Sequence, residues 1–309
     1  MSRAPSLDSL NAADKTGVAR ALAWIETERD RLAVAALLDA AAANAKAHVL
    51  GITGPPGVGK STLTSALVRH WRGAGESVAV VAVDPSSRAS GGALLGDRTR
   101  IASDPADLGV FVRSVAARDR LGGLSELAVA STILMRALYD RVIVETVGIG
   151  QSEADVALVA DTLLLALQPG SGDGLQFMKA GVMELPDVLA VTKSDLGAMA
   201  MRARGEAEAS LKLAAHGNSA PEVVLVAAPQ GEGIPELVEA LDRHRDRTAP
   251  ECPSRRVTQM TGWRRELVRE RFGREGEALL AARQPTAFSS FAAMEQASRD
   301  LRETINHLR

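Results

Sequence analysis

Only one of the 309 residues is a cysteine, Cys252, so no disulfide can close within the chain, and a reducing compartment fits. Charge of either sign is not in excess: Lys+Arg number 36 and Asp+Glu 38, a formal net charge of −2. That balance offers no bulk attraction to a polyanion, and nucleic acid is not an expected partner. Long hydrophobic runs are missing as well. The longest apolar stretch, residues 156–167, is broken by Asp161 and is too short to cross a bilayer. The opening MSRAPSLDSLNAADK lacks the continuous apolar core of a signal peptide. These absences lead to the expectation of a soluble, cytoplasmic protein without membrane association. What is present is ample for a core: 46% of residues are hydrophobic, and 24% charged residues argue against disorder. The length suits one large domain with appendages or two small ones, and no internal repeat is visible.

The most informative stretch is HVLGITGPPGVGKST, residues 48–62. A mainly apolar run, 48–53, reads as a buried strand, and a helical pattern starts near Lys60. Between them Gly54, Gly59, Lys60 and Ser61 satisfy G-x-x-x-x-G-K-[ST]. Gly54, Gly57 and Gly59 permit a tight turn in which successive N–H groups, that of Val58 included, face phosphate oxygens. The helix that follows adds the positive end of its dipole. Lys60 is expected to reach the β- and γ-phosphates and the Ser61 hydroxyl to bind Mg²⁺. Strand, loop and helix are in the right order for a nucleotide-binding protein.

Along the rest of the chain, strands alternate with helices. Residues 1–12 read as polar and mobile, and 15–47 as one long helix or two abutting ones. Strands are expected at 77–83, 110–113, 141–147, 162–167, 187–191 and 222–226, with helices over 121–138 and 196–215. This order implies a doubly wound, mainly parallel α/β sheet. Asp84 closes the second strand on the side where such sheets bind ligands. Asp84 and Asp97, in the Gly-rich SSRASGGALLGDRTR, are candidates for Mg²⁺ contact, or alternatively a turn residue and a helix N-cap. Glu145 stands three residues before Gly148, the D-x-x-G spacing with Glu for Asp. There the carboxylate supports a metal and the glycine N–H senses a γ-phosphate. A second permissive stretch, QPGSGDGLQFMKAGVMEL, carries Asp173, Gln176 and Lys179. TKSD, residues 192–195, offers Asp195 to the N1–H and amine of guanine and the stem of Lys193 to the base plane. Ala227, Ala228 and Pro229 follow the last strand, where backbone groups can meet the base. Beyond residue 247, TAPECPSRR reads as a linker, followed by two amphipathic helices separated near Pro285. The chain thus divides into an N-terminal helical segment (1–47), a nucleotide domain (48–247) and a C-terminal helical extension (248–309).

GITGPPGVGKST (51–62), AVDPSSRASGGALLGDRTR (82–100), VETVGIGQSE (144–153) and QPGSGDGLQFMKAG (168–181) together resemble the methylmalonyl-CoA mutase-associated GTPases. This is the MeaB-like group, also described as ArgK-type transport kinases, and the resemblance covers roughly residues 15–240. It implies a P-loop GTPase of the class that includes signal-recognition and metallochaperone GTPases, using GTP/GDP and Mg²⁺. It further implies a partner, an adenosylcobalamin-dependent acyl-CoA mutase, whose cofactor loading and protection are coupled to GTP hydrolysis. Carried across, Lys60, Ser61 and Thr62 bind phosphate and Mg²⁺, and Asp84, Asp97 and Glu145 form the acidic metal and switch set. Asp173 and Gln176 share with Lys179 the additional loop through which the family signals to the mutase. The family's N-K-x-D is TKSD here, with Thr192 in place of Asn. The C-terminal region matches the family's homodimerisation extension loosely.

On this reading Lys60 and Mg²⁺ neutralise charge that develops as water attacks the β–γ bond in line. No Gln sits immediately after Gly148 and no general base is evident, so slow turnover completed by contacts from the mutase is expected. Beside a purely structural helix-bundle partner, against which the P-loop argues, two other readings stay open at this stage. A nickel-delivering metallochaperone needs a thiolate or imidazole cluster, whereas His48, His70, His216, His244 and His307 are scattered. A small-molecule or protein kinase needs a phosphate acceptor and has no use for TKSD.

Overall fold

The structure, a computed structural model, describes residues 4–28, 31–84, 101, 104–117, 124–146, 156–170, 186–214, 220–284 and 286–307. Its strands are β1 (His48–Thr53), β2 (Val78–Asp84), β3 (Val110–Ala116), β4 (Arg141–Glu145), β5 (Thr162–Leu167), β6 (Val188–Val191) and β7 (Glu222–Leu225). They form one 7-stranded sheet in the order β3-β2-β4-β1-β5-β6-β7. Every pairing is parallel, with Ile52 opposite Glu145 on one side of β1 and opposite Leu164 on the other. Parallel strands are covered on both faces, which is why VAVVAVD and TLLLAL are buried along their whole length. Successive side chains then feed different cores. Val49, Val81 and Val142 enter one hydrophobic cluster, while Leu50, Val80 and Ile143 enter another on the opposite face.

The helices are α1 (Lys15–Thr27), α2 (Arg31–Ala43), α3 (Lys60–Gly73), α4 (Glu126–Leu138), α5 (Ala198–Ala214), α6 (Ile234–Thr248), α7 (Cys252–Arg283) and α8 (Phe291–His307). One face carries α3 and α6, whose Leu63, Leu67, Leu237 and Leu241 meet β1, β4 and β5. On the other face α4 covers β1 to β4, and α5 packs on β6 and β7 through Ala207 and Leu211.

Three departures from the sequence reading have local causes. Residues 4–12 are not loose: Leu7 and Leu10 pack on the core and Tyr139 donates its hydroxyl to the Ala12 carbonyl at 3.0 Å. The stretch 248–256, read as a linker, is mostly helix, because Pro253 falls in the first turn of α7, where no amide donor is needed. The strand at 110–113 continues to Ala116, since β2 offers pairing partners up to Asp84. The start of the C-terminal helix is tied back onto α2: the two carboxylate oxygens of Asp39 accept from the Phe291 and Ala292 amides at 2.8 and 2.9 Å. Trp263, Phe291 and Met294 share a cluster with Val34 and Leu38, so both ends of the chain build one helical layer. Within α7 the backbone kinks at Gly273, where φ is 74° and ψ 178°.

Candidate functional site

β1 ends at the middle of the sheet, between β4 and β5, and the chain then leaves the carboxyl edge in a loop before entering α3. This is the crevice in which open parallel sheets hold ligands. Gly54, Gly57 and Gly59 adopt φ values of 140°, 76° and 98°. Gly54 is also pressed against β5, where a Cβ would lie 2.3 Å from the Ala166 carbonyl oxygen. Any side chain there collides with backbone, so this position is sterically confined to glycine. Lys60 opens α3, buried, and its Nζ donates to the Gly54 and Pro55 carbonyls at 2.7 and 3.0 Å. Its charge is thereby held inside the turn of the loop, beside the N–H-rich start of the helix.

Glu145, the last residue of β4, is buried and accepts hydrogen bonds from the Ser61 and Thr64 hydroxyls, each at 2.6 Å. Ser61 and Thr64 lie one turn apart on α3, so both reach the same carboxylate. Oxygen donors of this kind, a hydroxyl and a carboxylate beside a phosphate loop, suit a hard divalent cation such as Mg²⁺. Asp84 is buried at the end of β2, with its carbonyl accepting from Ala117 N at 2.7 Å. Thr62 is exposed on α3.

The four TKSD residues occupy three different settings. Thr192 is buried, and its hydroxyl is shared between the carbonyls of Val58, in the phosphate loop, and Leu167, at the end of β5, at 2.8 and 3.0 Å. Lys193 is left-handed at φ 54°. Its Nζ reaches the Gln168 side chain and lies 3.4 Å from the Gly57 carbonyl, so its stem crosses the mouth of the loop. Asp195 sits exposed in a short 3-10 turn, Ser194–Leu196, that is anchored by Ser194 N on the Val226 carbonyl at 3.1 Å. Ala227 and Ala228 are buried beside it and Pro229 is exposed, in a turn closed by Ala227 N on Glu232 O at 2.9 Å. Asp97, Gly148, Asp173, Gln176 and Lys179 lie outside the described residues. Thr64 and Gln168 were missed in the sequence. Thr64 was open to discovery by its i+3 spacing from Ser61, whereas nothing local marks Gln168.

At the opposite, amino-terminal edge of the sheet a second polar cluster forms. His48, Asp161 and Cys252 place possible ligand atoms within 4.8 Å of one another. Asp161 is already engaged: Arg256 binds it through Nε and Nη2, both at 2.8 Å, and Arg136 lies at 3.5 Å. Although burial opposes ionisation, hydrogen bonds from Arg256 and the charge of Arg136 keep its carboxyl well below the usual range. Burial and the nearby carboxylate push the Cys252 thiol up, away from the thiolate a metal needs. A cation here would have to displace two guanidiniums. The cluster instead fastens α7 to β5, and it gives the metallochaperone reading no support.

Comparison with known proteins agrees with this geometry. The sequence model of the family described as "Methylmalonyl Co-A mutase-associated GTPase MeaB" matches residues 18–278. A Mycobacterium tuberculosis relative with a GTPase name is 36% identical over 281 residues, covering 85% of this chain and 81% of its own length. The mouse "Methylmalonic aciduria type A homolog, mitochondrial" is 36% identical over 228 residues, 72% of this chain and 55% of that one. Among solved structures, an LAO/AO transport system kinase superposes with a TM-score of 0.69 at 27% identity, covering 97% of this chain and 96% of the other. With the family match extending from α1 well into α7, and with a phosphate loop in its proper place on the sheet, the chain belongs to the MeaB family of P-loop GTPases.

Proposed function

We propose that this chain hydrolyses GTP to GDP and phosphate as a chaperone of an adenosylcobalamin-dependent acyl-CoA mutase, methylmalonyl-CoA mutase being the first candidate. The observation that carries the catalytic half is the set of Lys60, Ser61 and Glu145 around one glycine-rich turn. Membership of a family described as methylmalonyl-CoA mutase-associated, and the likeness to the mouse methylmalonic aciduria type A homolog, support the mutase half.

In the proposed reaction the amides of residues 57–61 receive the phosphates, and the Lys60 ammonium turns from the loop carbonyls to the β–γ bridge. There it offsets charge that builds up as water attacks in line. Ser61, Glu145 and Asp84 would hold Mg²⁺, whose charge would offset that of the phosphate oxygens. Asp195, Lys193 and the turn at Ala227 and Ala228 select guanine. Thr192 supports that selection from below, since its hydroxyl joins the phosphate loop to the strand that carries the base-reading turn. Asp97 and Gly148 belong to the loops that respond to the γ-phosphate, and Asp173, Gln176 and Lys179 to the loop that signals to the mutase. The helices from residue 248 onward serve homodimerisation or mutase docking, and the protein works in the cytoplasm.

The test is GTP turnover by the full chain, alone and with methylmalonyl-CoA mutase. Faster turnover with the mutase, and none with ATP, is the expected result. Equal GTP turnover with and without mutase would sink the chaperone half, and equal use of ATP would sink guanine selection.

A further inference from the structure

A cavity of about 550 Å³ opens between α2, α4 and the first half of α7, on the amino-terminal side of the sheet. The phosphate loop lies at the far end of β1, roughly 20 Å away at 3.3 Å per strand residue. The volume falls in the range of small-molecule sites, and the walls combine apolar side chains, Ile133 and Met260 among them, with charge. The charge is mostly positive. Among the described residues Arg136, Arg256 and Arg264 line the cavity, against one carboxylate, Asp39.

The cations here are unusually placed. Arg136 and Arg264 are only 4% and 5% exposed, and the Nε of each, a buried donor, has no hydrogen-bond partner among the described residues. Arg136 and Arg256 share the carboxylate of Asp161, at 3.5 and 2.8 Å, so that among the described residues two guanidiniums are paired with one negative charge. Arg264 donates to the carbonyls of Phe288 and Ser289 at 3.0 and 3.2 Å, with its guanidinium 4.5 Å from the centre of the Phe291 ring. Asp39, the carboxylate nearest to it in the cavity wall, is occupied in capping α8. Burial pulls both Arg136 and Arg264 below the ordinary arginine range, as expected for cations held without full compensation. Buried guanidiniums with open donors beside an apolar wall are the chemistry that recognises a carboxylate or phosphate on a hydrophobic body.

We propose that this cavity is a second ligand site, distinct from the nucleotide site, for a small organic anion with an apolar body. The anionic group meets Arg264 and the Arg136–Arg256 pair, and the body lies along Ile133 and Met260. Two exposed wall positions control entry without disturbing the core: Ala43, at the end of α2, and Val257, which is 67% exposed.

Binding of anilinonaphthalene sulfonate to the full-length native chain, followed by fluorescence and calorimetry, tests this. Its uncharged counterpart, N-phenylnaphthylamine, is the control, with a thermal melt of each variant to establish folding. The expected result is saturable binding of one sulfonate per chain, undiminished by GDP, with the uncharged probe at least about tenfold weaker. Val257→Glu, which sets a negative charge at the mouth, and Ala43→Trp, which fills it, each weaken the sulfonate by about tenfold or more, while Val257→Lys does not. Equal affinity for the two probes makes the cavity merely greasy and overturns the proposal. Indifference to Val257→Glu and Ala43→Trp places the probe elsewhere and also overturns it. Absence of saturable binding, as when a second copy of the chain covers the opening, does the same.

Discussion

His48 begins β1 and is partly buried among charges, and that burial should make the protein's stability depend on pH in a defined way. Its Nε2 is 2.7 Å from the Thr162 hydroxyl, which is 2.7 Å from His244 Nδ1, and His244 Nε2 is 3.1 Å from Asp187 Oδ1. The contacts are satisfied together when His244 Nε2–H donates to Asp187, Thr162 donates to His244 Nδ1, and His48 Nε2–H donates to Thr162. Burial, helped by Arg256, His244 and Arg245 and opposed by Asp161, lowers the His48 pKa from 6.5 to about 4. Since the folded value is the lower one, folding disfavours the protonated form. The stabilisation is therefore complete above the unfolded value and is lost as pH falls from 6.5 towards 4. Between about pH 8 and about pH 5 these two values imply a loss of about 2 kcal/mol, or about 3 °C in Tm for a chain of this size. Urea unfolding of the nucleotide-free protein, compared with His48→Gln across that range, isolates the term. The glutamine keeps an N–H for Thr162 and cannot titrate, so its stability should fall by about 2 kcal/mol less. Parallel curves for the two proteins would refute the buried, neutral His48.

Three further outcomes follow from the same geometry. Glu145→Gln keeps a partner for Ser61 and Thr64 but removes the charge, so GTP hydrolysis should need about 10- to 100-fold more Mg²⁺ while the fold is retained; an unaltered Mg²⁺ titration would remove Glu145 from the metal set. Thr192→Val deletes the hydroxyl between Val58 and Leu167, a net hydrogen bond of about 1 kcal/mol, and calorimetry should show roughly fivefold weaker GDP binding. Unchanged affinity would mean that the tether does not shape the site. Trp263→Ala opens a cavity where α7 meets α2, and denaturant unfolding should register a loss of about 3–5 kcal/mol; a loss under about 1 kcal/mol would show that the helical layer is loosely packed.

Much of the fold could be read from the chain because its parallel strands are buried on both faces, and residues such as 78–83 and 163–167 then spell uninterrupted apolar runs. The P-loop was legible for a related reason: its glycines, lysine and serine are adjacent in sequence and act together. Thr192 was visible only as a departure from a motif, and its tether to Val58 required the folded loop, 134 residues distant. The anchoring of Asp161 by Arg136 and Arg256 was hidden for the same cause. Those partners lie far along the chain on both sides, and a single Asp in an apolar run signals only an interruption. Pro253 misled in the other direction, because a proline in a first helical turn looks like a break when its position in the helix is unknown.

The central claim is a nucleotide-governed association with a cobalamin enzyme. It is tested most directly by immobilising the full chain, loaded with GDP or with a non-hydrolysable GTP analogue, and passing its native cell extract over it. Recovery of an adenosylcobalamin-dependent acyl-CoA mutase in amounts that differ between the two nucleotides is the predicted result. Recovery of no such mutase in either state, from an extract shown to contain one, would contradict it.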